Sequence, residues 1–470
     1  MRLAVRPWFL PALLCCSIPA AAFAQMTPEL HAKIDAAAAQ VLEQTGVPSA
    51  SVGIVMGGKV VLTAAYGKAR LSPEVKAEPA MKYPVGSISK QFTSAAMMLL
   101  VQEGKVSLDD TVSKWFPELT RANEVTIREL LSHTSGYEDY APQDYTIPLW
   151  RTPVNPLELI HKWAEKPLDF DPGTEWQYSN TNFVLAALIV QKASGEPYWK
   201  FMESRVFGPL GLNGVINLDT DRDKVEPQGY MRNALGPLRP AAMEGPGWYF
   251  GDASLAMPTS DLLEWDISMM DRTLLKPASY EALETEVKLK SGKGTGYGLG
   301  MDVGSRDGHR FFEHSGEVGG FVAENAIYPD DKIAIVVLTN EEASSAAGAI
   351  ARAVSPLLLA TTGAAKPSSD AATAAAEAQA KAILNGLEAS KLDRSLFTDD
   401  CNFYFSPQAI GDFQTSLTPL GSVTSVTQRV QELRGGMTFR VFTVQFSNRT
   451  LRLVTYTMQD GKLEQFLVGP

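Results

Sequence analysis

The sequence predicts an α+β fold: an antiparallel sheet flanked by helices, a helix-rich region, and a small α+β domain at the end. Three observations carry this prediction. Strand-like patterning occurs near the start of the chain and returns only after a long helix-rich middle. The late strands follow one another across short turns, as antiparallel neighbours do. Composition then changes near residue 360, and a second strand-rich block closes the chain.

Residues 28–45, PELHAKIDAAAAQVLEQT, read as an amphipathic helix closed by Gly46. SASVGIVMGGKVVLTAAYG reads as two strands around the hairpin signal Gly57-Gly58. From about 87 to 290 the pattern is helical, interrupted by Gly and Pro loops. YGLGMDV, HRFFEHSG, GFVAENAIYP and KIAIVVLTN then read as strands, the last two joined by Pro329-Asp330-Asp331. ASSAAGAIARAVSPLLLA is a closing helix. These elements place one domain at 25–360. A linker at 361–378, small, polar and Pro-containing, grades into a helix. Residues 379–470 then form a small α+β domain, one helix followed by strands in MTFRVFTVQFS and LRLVTYTMQDGKLEQFLV, with a turn at Asp460-Gly461. Its pattern faintly resembles NTF2-like domains, and it shows no catalytic constellation of its own.

The chain of 470 residues is 45% hydrophobic and 20% charged, which is ordinary for a soluble globular protein. Residues 1–24 are expected to be a secretory signal peptide: Arg2 and Arg6, an apolar run, then Ala22-Phe23-Ala24. Cys15 and Cys16 raise the question of a lipoprotein site, but Leu14 is larger than such sites usually accept. Removing the signal takes the net charge from −11 to −13, and no later stretch reads as a membrane span. An acidic exported protein is a poor partner for nucleic acid. Only Cys401 remains of three cysteines, so neither an intramolecular disulfide nor a thiolate metal site is expected. The five histidines lack metal-site spacing, and no cofactor motif occurs: Lys293-Gly294-Thr295-Gly296 in SGKGTGYGLG lacks the strand–turn–helix context of a phosphate loop. A small molecule or peptide is the expected partner.

The chemistry centres on YPVGSISKQFTSAAMMLL. Serine is a favoured helix cap and lysine a common surface residue, so Ser87-Ile88-Ser89-Lys90 alone says little. Two features sharpen it. Tyr83-Pro84-Val85-Gly86 makes a tight approach, and Phe92, Ala95, Ala96 and Leu99 form an apolar stripe. Ser87 and Lys90 then share one face of the first turn. There the helix N-terminus supplies a positive field, and a desolvated lysine has a lowered pKa.

S-x-x-K is the nucleophile motif of the penicillin-recognising serine enzymes. Tyr178-Ser179-Asn180 supplies the Y-x-N motif and His314-Ser315-Gly316 the H-x-G variant of K-T-G, in the expected order. VTIRELLSHTSGY, PGTEWQYSN, YGLGM and VVLTN stand where that group carries them. Over about residues 28–360 the chain therefore resembles the class C β-lactamase, DD-peptidase and family VIII esterase group. The resemblance implies a β-lactamase/transpeptidase-like sheet and a serine hydrolase that passes through an acyl-enzyme. It implies Ser87 as nucleophile, with Lys90 and Tyr178 sharing the proton transfers. Asn180 would hydrogen-bond Lys90 or a substrate amide. The backbone N–H groups of Ser87 and Glu317 would form the oxyanion hole. His314 would orient Tyr178 or face a substrate carboxylate, and Ser315 and Gly316 would line the substrate edge, with Gly316 allowing close approach. His133 falls in a structural loop of that family, and Glu138 and Asp139 after it are expected to be solvated.

The third motif has histidine where classical β-lactamases have lysine, which points away from strong β-lactam hydrolysis and toward D-amino-acid peptides or esters. A carboxylesterase or weak β-lactamase is the alternative within the class. A non-catalytic binding or scaffold protein of the same fold is the alternative outside it, although the serine, lysine and tyrosine are all present. Loops around 138–170 and 217–250 are expected to line the pocket.

Overall fold

The computed structural model describes residues 26–359, 371–434 and 436–470. The expected signal peptide and most of the expected linker fall outside these residues. Helix α1 (Pro28–Thr45) starts at Thr27, whose hydroxyl accepts from Leu30 N at 3.1 Å, and ends at Gly46 in the left-handed conformation. Strands β1 (Ser49–Met56) and β2 (Lys59–Leu71) pair around Gly57-Gly58, both with positive φ, as a two-residue hairpin requires. A short β3 (Glu74–Lys76) extends that edge.

Late in the chain come β4 (Asp302–Arg306), β5 (His309–Val318), β6 (Phe321–Tyr328) and β7 (Ile333–Thr339). The sheet order is β3-β2-β1-β7-β6-β5-β4, so the first hairpin joins the late strands through an antiparallel β1–β7 ladder. Both β1 and β7 are buried along their whole length, because helices cover the two faces. The expected strand over YGLGMDV is shorter than its pattern. Residues 297–301 form a loop, since Gly296 and Gly300 adopt positive φ, and only β4 joins the sheet.

In the helical region, α2 (Ser89–Gln102) and α3 (Asn180–Ser194) pack together, and α4 (Thr259–Asp271) lies on β1 and β7. The closing helix α5 (Ala346–Leu358) packs on α1 across the sheet's other face. No helix among the described residues is long and apolar enough to cross a membrane.

The small C-terminal domain has its own apolar core, including Leu384, Phe405, Phe413, Phe442 and Phe466. It contains three helices where the sequence suggested one: α6 (Ala371–Glu388), α7 (Asp399–Tyr404) and α8 (Pro407–Leu417). Residues 371–378, expected within the linker, already belong to α6. An antiparallel meander follows: β8 (Val423–Arg434), β9 (Met437–Phe446), β10 (Thr450–Thr457) and β11 (Leu463–Gly469).

The domain is clamped to the rest of the chain by polar contacts. Arg239 makes a two-pronged ion pair with Asp412 at 2.6 and 3.0 Å. Asp144 N donates to Gln465 Oε1 at 2.7 Å, and Gln465 Nε2 donates back to Asp144 Oδ2 at 2.8 Å.

Candidate active site

Ser87 does not cap α2. It sits in a single 3₁₀ turn, Gly86–Ile88, immediately before the helix, and α2 begins without a side-chain cap. Its hydroxyl is therefore left for other partners. Gly86 has φ +53°, and a Cβ there would lie 2.5 Å from Glu317 N. A Cβ on Gly316 would lie 1.9 Å from Val85 O. The two glycines let β5 run directly against residues 85–87. Gly316 thus makes room for the serine turn, and it also lines the cleft.

Lys90 follows one turn later and has no solvent exposure. Its ammonium has three acceptors: Ser87 Oγ at 2.8 Å, Asn180 Oδ1 at 2.7 Å and Asp252 O at 3.1 Å. Burial lowers its pKa to about 8, although the carboxylates of Asp252 and Asp139 oppose the shift. The Asp252 carboxylate lies 3.9 Å away. Burial pushes the Asp252 carboxyl up to about 7, against the pull of Lys90 and of the Tyr140 hydroxyl at 3.0 Å.

Tyr178 lines the same cleft as Ser87, and its ring centroid is 5.0 Å from Lys90 Nζ. Burial raises its pKa well above that of a free phenol, and the Ser87 hydroxyl and Arg434 only partly offset this. The phenol therefore keeps its proton, and Lys90 is the better base of the pair. Asn180 opens α3. Asp139 Oδ1 accepts from both its backbone N and its Nδ2 at 3.0 Å, which places a carboxylate at a helix N-terminus. Asp139 is 2% exposed, so the expectation that it is solvated is overturned. Glu138 instead stays partly exposed and pairs with Lys166 at 2.8 Å.

His314 is buried, and burial lowers its pKa to about 3, so it is neutral. Its Nε2 is 3.0 Å from the Tyr297 hydroxyl, and its Nδ1 faces Ser315 O. It makes a ring contact with Tyr178 at 6.1 Å but does not hold the phenol. The ring that does pack on Tyr178 is His133, with centroids 4.2 Å apart; its Nδ1 accepts from Ser179 N at 3.1 Å. The SHTSGY loop is thus structural in a specific way: it sets Tyr178.

These groups open on a cleft of about 500 Å³ lined by Ser87, Tyr178, Asn180, His314, Ser315, Gly316 and Glu317. Residues 140–150 and 244–253 line it too, in partial agreement with the expected loops. The C-terminal domain adds Glu432, Leu433, Arg434, Phe439 and Tyr456 to the wall. The contribution of that domain to the cleft wall was not visible in its sequence, because Arg434 carries no local signal. Asp252 and Tyr297 were also missed; each sits in an irregular loop that only folding brings to the serine.

A family model described as Beta-lactamase matches residues 34–358. Penicillin-binding protein 4* of Bacillus subtilis (strain 168) is 28% identical over 304 residues, 61% of this chain and 66% of that protein. The protein flp of Staphylococcus aureus (strain NCTC 8325 / PS 47) is 30% identical over 328 residues, 67% of this chain and 64% of that protein. The matches thus span slightly less than two thirds of these relatives' own lengths. Among solved structures, a D-stereospecific amidohydrolase from Streptomyces sp. superposes with TM-score 0.58 at 27% identity, covering 68% of this chain and 97% of that one. The octameric penicillin-binding protein homologue from Pyrococcus abyssi shares the fold over 93% of this chain and 99% of its own, with TM-score 0.60 at 21% identity. With the three motifs gathered around one cleft and the family model spanning most of the chain, this protein belongs to the Beta-lactamase family.

Proposed function

We propose that the protein is an exported serine hydrolase that cleaves a small amide or ester of a D-amino acid through an acyl-enzyme on Ser87. The observation that carries this is the fully buried Lys90, with its lowered pKa, 2.8 Å from Ser87 Oγ. In its neutral form Lys90 takes the serine proton as Ser87 attacks the carbonyl. Tyr178, a protonated phenol in the same cleft, then passes its proton to the leaving group and regains one from the Lys90 ammonium. A water, deprotonated in turn, attacks the acyl-Ser87 ester and releases the acid with Ser87 reprotonated. Asn180 holds Lys90 in place.

The oxyanion donors in this reading are Ser87 N–H and Glu317 N–H. Val318 and Phe321 close the β5–β6 hairpin. Ladder alternation then turns the N–H of Glu317, one residue earlier, away from β6 and toward the serine turn. Losing one such donor costs on the order of 10²–10³ in rate. The Glu317 side chain does something else, since its carboxyl accepts from Ala343 N.

Substrate charge follows from the cleft wall. Arg434 is its only Lys or Arg among the described residues, and its guanidinium is already paired. His314 is neutral, so a substrate carboxylate finds no available cation. Asp302, Glu313 and Glu432 also line the cleft, Glu313 paired with Arg306 at 2.6 Å, and burial together with Glu313 and Glu432 pushes the Asp302 carboxyl up to about 8. A substrate ammonium would offset these carboxyl groups. A D-aminoacyl amide or ester with a free amine suits this wall better than a β-lactam or a peptide ending in a carboxylate. The 27% identical amidohydrolase, described as D-stereospecific, supports the same direction. Export rests on the N-terminal sequence, and the division into a domain at 25–360 and a second one on composition, the second taking in α6 from residue 371.

The test is a substrate panel. Free-amine D-alanyl p-nitroanilide should be cleaved at least tenfold faster than its N-acetylated or L forms, and faster than a chromogenic cephalosporin or a D-Ala-D-Ala peptide. Preference for the acetylated form or for the cephalosporin would contradict the substrate reading. No turnover of any amide or ester would contradict the hydrolase itself.

A further inference from the structure

The end of β8, Glu432–Arg434, enters the cleft from the C-terminal domain. Its backbone bridges to the hydrolase domain at Arg434 and Tyr178. The Arg434 side chain is 23% exposed and heavily committed. Nε reaches Asp139 Oδ2 at 3.3 Å, Nη1 donates to Tyr456 OH at 2.7 Å, and Nη2 donates to Ala141 O at 3.2 Å. Asp144 lies 3.6 Å from Nη1, and the guanidinium carbon sits 5.1 Å from the Tyr178 ring centroid. Asp139 passes the contact on. Its other oxygen holds Asn180, Asn180 holds Lys90, and Lys90 holds Ser87. Ala141 O accepts from both Arg434 and Asn180, which ties the two ends of the path together.

Two physical consequences follow. Without Arg434, Asp139 would be a carboxylate with no side-chain exposure and no cationic partner, an expensive arrangement beside the catalytic lysine. The other charged groups facing Lys90 and Tyr178 are Asp139 and Asp252, while His133 and His314 are kept neutral by burial. Arg434 is therefore the cation that balances Asp139, and it disfavours an added proton on both Lys90 and Tyr178.

We propose that Arg434 is a positioning residue for acylation, so that the C-terminal domain completes the hydrolase site by fixing the Asp139–Asn180–Lys90 path and facing the Tyr178 ring. This rests on Ser87 being the nucleophile. The side chain is spent on internal partners, so its role is to hold the proton-transfer groups rather than to bind substrate.

The test measures Ser87 labelling by a fluorophosphonate, in the full chain, as maximal rate and half-saturation over a pH series. Arg434→Met should lower the maximal rate on the order of tenfold or more with half-saturation within about twofold. Its rising pH limb should move up by about one unit. Arg434→Lys keeps the cation but not the fork, so the limb should return toward wild type while the rate stays reduced. Tyr456→Phe releases only Nη1 and should shift both quantities in the same direction by less. It decides the matter if Arg434→Met loses its near-ultraviolet dichroism. A wild-type limb and rate in these variants would overturn the proposal, as would a loss confined to half-saturation. If wild type takes no label, the serine-hydrolase reading falls and this inference with it. If wild type labels and the variants match it, only this inference falls.

Discussion

Lys90 and Gln91 are consecutive on α2, both almost without solvent exposure, and they face two different polar clusters. Gln91 Nε2 donates to Asn325 Oδ1 at 3.1 Å, and Trp265 Nε1 donates to Gln91 Oε1 at 2.8 Å. Asn325 Nδ2 in turn donates to both Asp266 oxygens at 2.8 and 2.9 Å. Every polar atom of that ring has a partner, and none of its four residues lines the cleft. The Lys90 cluster is equally buried but not closed. Asp252 Oδ1 has no hydrogen-bond partner, and Ser87 and Tyr178 open onto about 500 Å³ of cleft. Burial of polar groups is thus common to structure and chemistry in this protein. What separates them is whether the network is complete or leaves the proposed nucleophile and proton carrier facing open space.

Breaking the open cluster should cost activity first. Lys90→Met removes the proposed base and should reduce hydrolysis of an activated D-aminoacyl ester by on the order of 10²–10⁴. In wild type, Lys90 must be neutral to accept the serine proton. Activity should therefore rise with pH through about 8, the value to which burial brings its pKa. A flat profile between pH 6 and 9 would remove Lys90 from that role.

The closed cluster should respond in stability instead. Burial raises the Asp266 carboxyl well above its ordinary range, so the folded state favours the protonated form. The stability linked to that proton is fully present below the ordinary carboxylate pKa and is lost as pH rises through the raised value. Asp266→Asn, which stays neutral, should gain stability relative to wild type as pH increases from 4 to 8, read from urea midpoints. Its activity per folded molecule should remain within about twofold of wild type. A growing deficit with pH would mean that the ring needs the carboxylate.

How much of this was legible follows the range of each interaction. Ser87 and Lys90 are one turn apart, so their spacing alone places them on one face. Tyr178, Asn180 and His314 carry their own short motifs, and the glycines at 57, 58 and 46 announce their turns. Asp139 and Arg434 lie 295 residues apart in sequence, and nothing local links them. Strand β8 shows why the C-terminal domain was harder to read. Val423, Val426, Val430 and Leu433 repeat at helical spacing, yet the segment is a strand. Pairing with β9 overrides the pattern, and irregularities at Val423/Ser425 and Gln428/Val430 rephase its side chains. The short helix α7 carried its cap, Thr398, but too few residues to show a period, whereas α8 carried both a cap, Ser406, and an apolar spacing at Ala409, Phe413 and Leu417.

The central claim is a covalent bond between a substrate acyl group and Ser87. The direct measurement mixes the protein with a D-aminoacyl p-nitrophenyl ester, quenches in acid within milliseconds, and maps the adduct by peptide mass spectrometry. The account predicts a mass increase equal to the acyl group on the peptide containing Ser87, absent in Ser87→Ala. Steady turnover with no adduct despite a burst of p-nitrophenol, or an adduct that persists in Ser87→Ala, would contradict it.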